Sequence, residues 1–152
     1  MLICPPTKMS GNDTVPFQLF DRAGGIRQIQ FNTMYKCDVK RMEEKIKTFS
    51  KFGDAGHGGV TRYSLSPEAH QARDEFVKRM KAIGAAIETD DMANMYATIP
   101  GSEPGLKKIV MASHADSVKN GGNYDGILGV LTAMEVLETV AEQNIPHRQT
   151  IV

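Results

Sequence analysis

The amino-acid sequence predicts an α/β layered fold, a mixed sheet flanked by helices, on three observations. Apolar residues recur at three- and four-residue spacing in three stretches, which gives each one a buried helical face. Between the second and third of these lie short β-type runs separated by turn residues. Finally, the apolar run Ile109-Val-Met111 passes through His114 and Asp116 to a glycine-rich turn and then into the third helical stretch. That is how a strand hands over to a helix in layered α/β domains.

The leading residues, 1–37, read differently from the rest. Pro5-Pro-Thr-Lys and Ser10-Gly-Asn-Asp lack periodicity and predict a poorly ordered leader. Within it, 15–20 and 26–31 flank Ala23-Gly24-Gly25 as a weak hairpin. From Asp38 to Val152 the pattern is that of a folded domain. Asp38 is a good N-cap, because its carboxylate accepts the free amide protons of a first turn. Val39, Met42, Ile46 and Phe49 then form one stripe. Glu43 and Glu44 come early and Lys45, Lys47 and Lys51 late, in keeping with the helix dipole, and Gly53 ends the helix. The stretch 53–62 holds four glycines but neither the GxGxxG nor the P-loop spacing, so a structural turn is preferred over a phosphate cradle.

A second helix starts at Ser66-Pro67-Glu68, with a capping hydroxyl and proline in the first turn. Ala69, Ala72, Phe76, Val77, Met80 and Ile83 make its apolar face, His70 falls on the polar side, and Gly84 closes it. Residues 85–89 and 95–99 predict two antiparallel strands around the turn 90–94, and 100–105 is loop by composition. The run 107–113 has the pattern of a strand covered on both faces. The third helix, 127–144, is apolar nearly all round and leaves Thr132, Glu135, Glu138, Thr139 and Glu142 for a wet side. Covering it calls for neighbouring strands beyond those encoded here, so exposed apolar surface and aggregation are expected. Residues 149–152 read as the first residues of a further buried strand, which predicts an incomplete domain.

Eighteen basic residues balance eighteen acidic ones, so nothing in the charge points to nucleic acid or an anionic membrane. The composition, 41% apolar and 24% charged, is that of an ordinary globular chain. No apolar run is long enough to span a bilayer, and Pro5-Pro6 interrupts the start before a signal-peptide core forms. Cys4 and Cys37 lie far apart, which favours reduced thiols and a cytoplasmic location.

The chemistry concentrates between Met111 and Val130. Residues two apart on a strand face the same way, so His114 and Asp116 can act together. A metal-bound imidazole usually donates its second N–H to a carboxylate, and Asp116 suits that part. Asp125 returns to the same strand end through Gly121-Gly122-Asn-Tyr, and its two oxygens suit a carboxylate that bridges two cations. By spacing alone, a buried histidine hydrogen-bonded to aspartate in a core remains an equal reading.

The combined string His114-Ala-Asp-Ser-Val-Lys-Asn-Gly-Gly-Asn-Tyr-Asp-Gly-Ile-Leu-Gly-Val130 resembles the signature of the M20-type metallohydrolases. The short interval from His114 to Asp125 is most similar to their amidase/hydantoinase/carbamoylase branch. That branch comprises N-carbamoyl-L-amino-acid hydrolases, β-ureidopropionases and allantoate amidohydrolases. Gly58-Gly-Val-Thr-Arg62, Ser66-Pro67, Ala72-Arg-Asp74, Gly84, Asp90 with Asn94, and Ile99-Pro-Gly101 fall where the branch has similar features. The resemblance covers about residues 38–152 and implies the N-terminal portion of a zinc-peptidase-like catalytic domain.

It further implies two divalent ions, zinc or manganese, with His114 binding one, Asp125 bridging both and Asp116 orienting the histidine. A hydroxide held between the ions would attack an N-carbamoyl or ureido carbon of a small-molecule substrate. The family is homodimeric through an inserted domain, and its general base is the first glutamate of a Glu-Glu pair after the next strand. No position of this chain matches that pair, the later histidine ligands or the inserted domain. His57, His70 and His147 match nothing, and Ala93 stands where the family has glycine before Asn94. Arg62 either approaches the site or anchors a loop, the second being preferred. The expectation is therefore a fragment of a dimetal amidohydrolase of N-carbamoyl or ureido C–N bonds, which alone binds metal weakly and turns nothing over. The alternative is a catalytically inactive truncated or pseudogene product that keeps only the fold's first half.

Overall fold

The computed structural model describes residues 16–20, 26–30 and 35–152. They fall into two units, one ending at Tyr35 and one running from Lys36 to Val152. In the first, β1 (Pro16–Phe20) pairs antiparallel with β2 (Ile26–Gln30), Phe17 opposite Ile29, as the hairpin reading expected. Of the predicted leader, 1–37, residues 1–15, 21–25 and 31–34 lie outside the described residues.

The second unit begins with α1 (Val39–Ser50), capped by Asp38, whose carboxylate accepts the Lys40 amide at 2.9 Å and the Arg41 amide at 3.1 Å. Phe49 is buried, while Val39, expected on the apolar stripe, is 69% exposed. It sits at the first helical position, before the turn that meets the core. Ser66 caps α2 (Pro67–Ala82) by accepting the Ala69 amide at 3.2 Å. Gly84, at φ +80°, reverses the chain after α2 and places the Ala85 amide on Met80 O. His70 is exposed, as its polar position implied.

β3 (Ala86–Thr89) and β4 (Met95–Thr98) form the expected antiparallel pair. Ile99 prolongs β4 and exchanges both backbone bonds with Ile151, at 2.9 and 3.0 Å, in antiparallel sense. On the other side of Ile151 lies Ile109, in parallel. Three bonds carry that pairing: Ile109 N–H to Thr150 O, Val152 N–H to Ile109 O and Met111 N–H to Val152 O. The result is a mixed β layer in the order β3, β4, 151, 109, within a partial α/β domain. The strand reading of 149–152 is met in part: 150–152 pair by backbone with both neighbours, while Gln149 lies in a bend. The reading of 107–113 as covered on both faces is not met, because Val110 is 63% exposed while Met111 packs on the core. The two alternate across a pleat, and even on the Met111 side Ile109 is 44% exposed.

α3 (Ile127–Glu142) is the centre of the core, with Ile127, Leu131, Met134 and Leu137 all buried against α1, α2 and the sheet. Two expectations about this helix are corrected. Its apolar residues are mostly covered within the described residues, and its supposed wet side is buried at Glu135, Glu138 and Thr139. The reason is Lys45 on α1, fully buried rather than solvated, whose ammonium sits on both glutamates, 2.5 Å from Glu135. Arg41 joins them, with Nε donating to Glu135 Oε2 at 2.9 Å and Nη2 to Oε1 at 2.7 Å, and it also pairs with Glu142. Among the described residues no helix is long and apolar enough to cross a membrane.

Candidate metal-binding site

His114 and Asp116 lie on irregular chain leading away from the Ile109 pairing, and both side chains are about half exposed, at 55% and 51%. The structure brings them together. His114 Nδ1 lies 3.1 Å from Asp116 Oδ1 and 3.2 Å from Asp116 O. Both acceptors call for a proton on Nδ1, which leaves Nε2 as the ring's lone-pair donor for a cation.

The ring rests against the start of α3. Gly126 has φ +67°, and a Cβ built there would stand 2.2 Å from His114 Cε1 and 2.4 Å from both ring nitrogens. One turn on, a Cβ at Gly129 would meet Ser113 Cβ and Oγ at 2.7 Å. Ser113 Oγ donates to Gly126 O at 2.8 Å and ties the strand exit to the helix start. Glycine at 126 and 129 is thus what lets the histidine segment approach α3 so closely. Asp125 is exposed, one residue before this contact. Its backbone oxygen accepts the Ile127 amide at 2.7 Å, and its carboxylate takes no hydrogen bond from a described residue. The sequence reading missed Gly126 and Gly129, although their spacing on one face of the helix start was a usable sign of close approach.

The loop that carries Asp116 is held from behind by 58–62. Val60 exchanges both backbone bonds with Gly121, at 2.9 and 2.8 Å, and the Asn120 amide donates to Thr61 Oγ1 at 2.9 Å. Ser117 N–H donates to Arg62 O at 2.8 Å, and Ser117 Oγ accepts Arg62 N–H at 3.0 Å while donating to Val60 O at 3.0 Å. The glycine-rich stretch is therefore a structural clamp, as preferred. Arg62 itself is 2% exposed. Burial pushes its guanidinium below the usual arginine range, against the pull of the nearby Asp116 carboxylate.

In front of His114 and Asp116 opens a cleft of about 650 Å³, walled by Ala72 and Phe76 of α2, by Met95 and by Val130. Its volume is that of a small-molecule site. The donor set for a divalent ion fits in part. An imidazole with its tautomer fixed and an unengaged carboxylate are the right chemistry for zinc or manganese. A closed site wants about four donors, and among the described residues no three His, Cys, Asp or Glu side chains gather to hold an ion.

No protein-family model matches the chain. It is 35% identical over 116 residues to the N-carbamoyl-L-amino-acid amidohydrolase of Paenarthrobacter aurescens, covering 76% of this chain and 28% of that protein. With the allantoate amidohydrolase of Escherichia coli (strain K12) it shares 36% identity over 102 residues, 67% of this chain and 25% of that protein. An amidase of the hydantoinase/carbamoylase family from Burkholderia multivorans matches its fold with a TM-score of 0.75 at 32% identity, over 77% of this chain and 28% of that one. The chain spans about a quarter of the length of the curated relatives it matches. Over about three quarters of its own length, the chain belongs to the hydantoinase/carbamoylase family of amidases.

Proposed function

We propose that this chain supplies part of the metal seat of a dimetal amidohydrolase that cleaves the C–N bond of linear N-carbamoyl or ureido substrates. The observation that carries the reading is His114, with Nδ1 engaged by Asp116, its ring against Gly126 and its side chain lining the cleft. The relatives' activities, on N-carbamoyl-L-amino acids and on allantoate, support the substrate class.

In this reading His114 Nε2 and the Asp125 carboxylate hold the divalent ions, zinc or manganese. Asp116 keeps the proton on Nδ1, and so fixes both the tautomer and the ring plane. Gly126 sets how near the ring stands to the helix. When bound, such ions polarise the scissile carbonyl and acidify a water near neutral pH. The cleft takes the rest of the small molecule, with Phe76 and Val130 offering apolar cover. The exposed free thiol of Cys37 suits a reducing compartment such as the cytoplasm. With two donors among the described residues, the 152-residue chain by itself is expected to bind metal weakly and to hydrolyse neither substrate.

The test is a chimera in which 38–152 replace the matching segment of the Escherichia coli allantoate amidohydrolase. Metal-dependent hydrolysis of allantoate or of an N-carbamoyl amino acid, lost in Asp125→Ala, is the expected result. A folded, metal-loaded chimera without turnover on either substrate would contradict the reading.

A further inference from the structure

We propose that Arg62 is a positioning residue for the metal seat, which it holds by bolting the His114–Asp116 loop to the C-terminal end of α1. This rests on the metal reading above. Three carbonyls from two separate parts of the chain converge on one guanidinium. Nε donates to Ala115 O at 2.7 Å, between His114 and Asp116, while Nη1 donates to Phe49 O and Phe52 O, both at 2.8 Å. The backbone of the same residue completes the attachment, because Arg62 O accepts the Ser117 amide and Arg62 N–H donates to Ser117 Oγ. Residues on both sides of Asp116 are thus fixed to Arg62, one by side chain and one by main chain.

The geometry explains why arginine stands here. Its planar fork donates in two directions at once, which a lysine ammonium on a flexible stem does not reproduce. Phe49 O lies in the last turn of α1, where it also accepts the Phe52 amide at 3.3 Å, and Phe52 O lies just beyond it, at the end of the helix that favours a cation. Arg62 makes no contact with a cation site itself. Its effect on His114 passes through the loop, whose order decides whether His114 and Asp125 meet an ion together. Loss of such supporting contacts typically weakens metal binding by about 10–100-fold.

The test compares the wild-type chain with Arg62→Met and Arg62→Lys by calorimetric titration with zinc chloride, alongside amide hydrogen exchange. Leu137→Ala serves as a control that loses core stability far from the loop. The expected result is a fall in zinc affinity of about tenfold or more in Arg62→Met, with Arg62→Lys between it and wild type. Faster exchange should be confined to the Ser117 amide and its neighbours. Leu137→Ala, at a temperature where it is folded, should keep the wild-type affinity.

Unchanged affinity and unchanged Ser117 exchange in folded Arg62→Met would overturn the proposal, as would an equal loss of affinity in Leu137→Ala. If the wild-type chain binds no zinc, the metal reading fails by itself. The Ser117 exchange then decides the positioning claim, unchanged protection in Arg62→Met refuting it and selective loss upholding it.

Discussion

At the residue scale, the contact between Gly126 and His114 makes the sharpest demand on residue type. Gly126→Ala would place a methyl group 2.2 Å from His114 Cε1 and hold a side chain at φ +67°. The backbone conformation alone costs on the order of 1–3 kcal/mol, and the ring must move besides. The expected outcome is a lower thermal midpoint together with loss of zinc binding, read by differential scanning calorimetry and titration. Ala93 presents the opposite case. It adopts φ +63° at the turn where Asp90 Oδ1 accepts the Met92 and Asn94 amides, and its own carbonyl accepts Arg73 Nη1. Ala93→Gly relieves the left-handed strain and should stabilise the chain by about 1 kcal/mol, seen as a raised unfolding midpoint with the site unaltered. His114 and Asp116 were legible as a pair because two residues on one short segment need no long-range information. The grip of Arg62 was not, since its carbonyl partners lie up to 53 residues away.

At the element scale, α1 and α3 are joined by charges as well as by Phe49, Leu131 and Met134. Lys45→Met should destabilise the chain by about 3–5 kcal/mol, because it leaves Glu135 and Glu138 buried with half their compensation. A urea-unfolding midpoint reads it. The same cluster sets a pH dependence. Burial works to raise the Glu135 pKa, but hydrogen bonds from Arg41, Lys45 and the Asp38 amide outweigh it and hold the carboxyl at about 2, against an ordinary 4.5. A depressed folded-state value means the stabilisation is complete above the ordinary value and is lost as pH falls from 4.5 towards 2. It amounts to on the order of 3 kcal/mol, and Glu135→Gln should flatten that acid limb in circular dichroism. Helix limits and caps were readable because Asp38, Ser66, Pro67 and Gly84 act on their own neighbours. The burial of Glu135 was not, because its lysine partner lies 90 residues away on another helix.

At the scale of the molecule, alternation of helices and β runs was enough to identify a layered α/β segment, and Ile151-Val152 after Pro146 was enough to place a β pairing at 150–152. What the pattern did not carry was the order of the β layer. The insertion of Ile151 between Ile99 and Ile109 depends on backbone pairing between segments about 40–50 residues apart, which leaves no local trace. The site shares this division: the histidine segment is local, and its clamp at 58–62 is not. The central claim, that residues 114–125 seat a divalent ion, is tested most directly by calorimetric zinc titration of the purified chain beside His114→Ala and Asp125→Ala. The expected result is weak, saturable binding by the wild type, reduced by about tenfold or more in each variant. Absence of binding by the wild-type chain, or the same affinity in all three proteins, would contradict it.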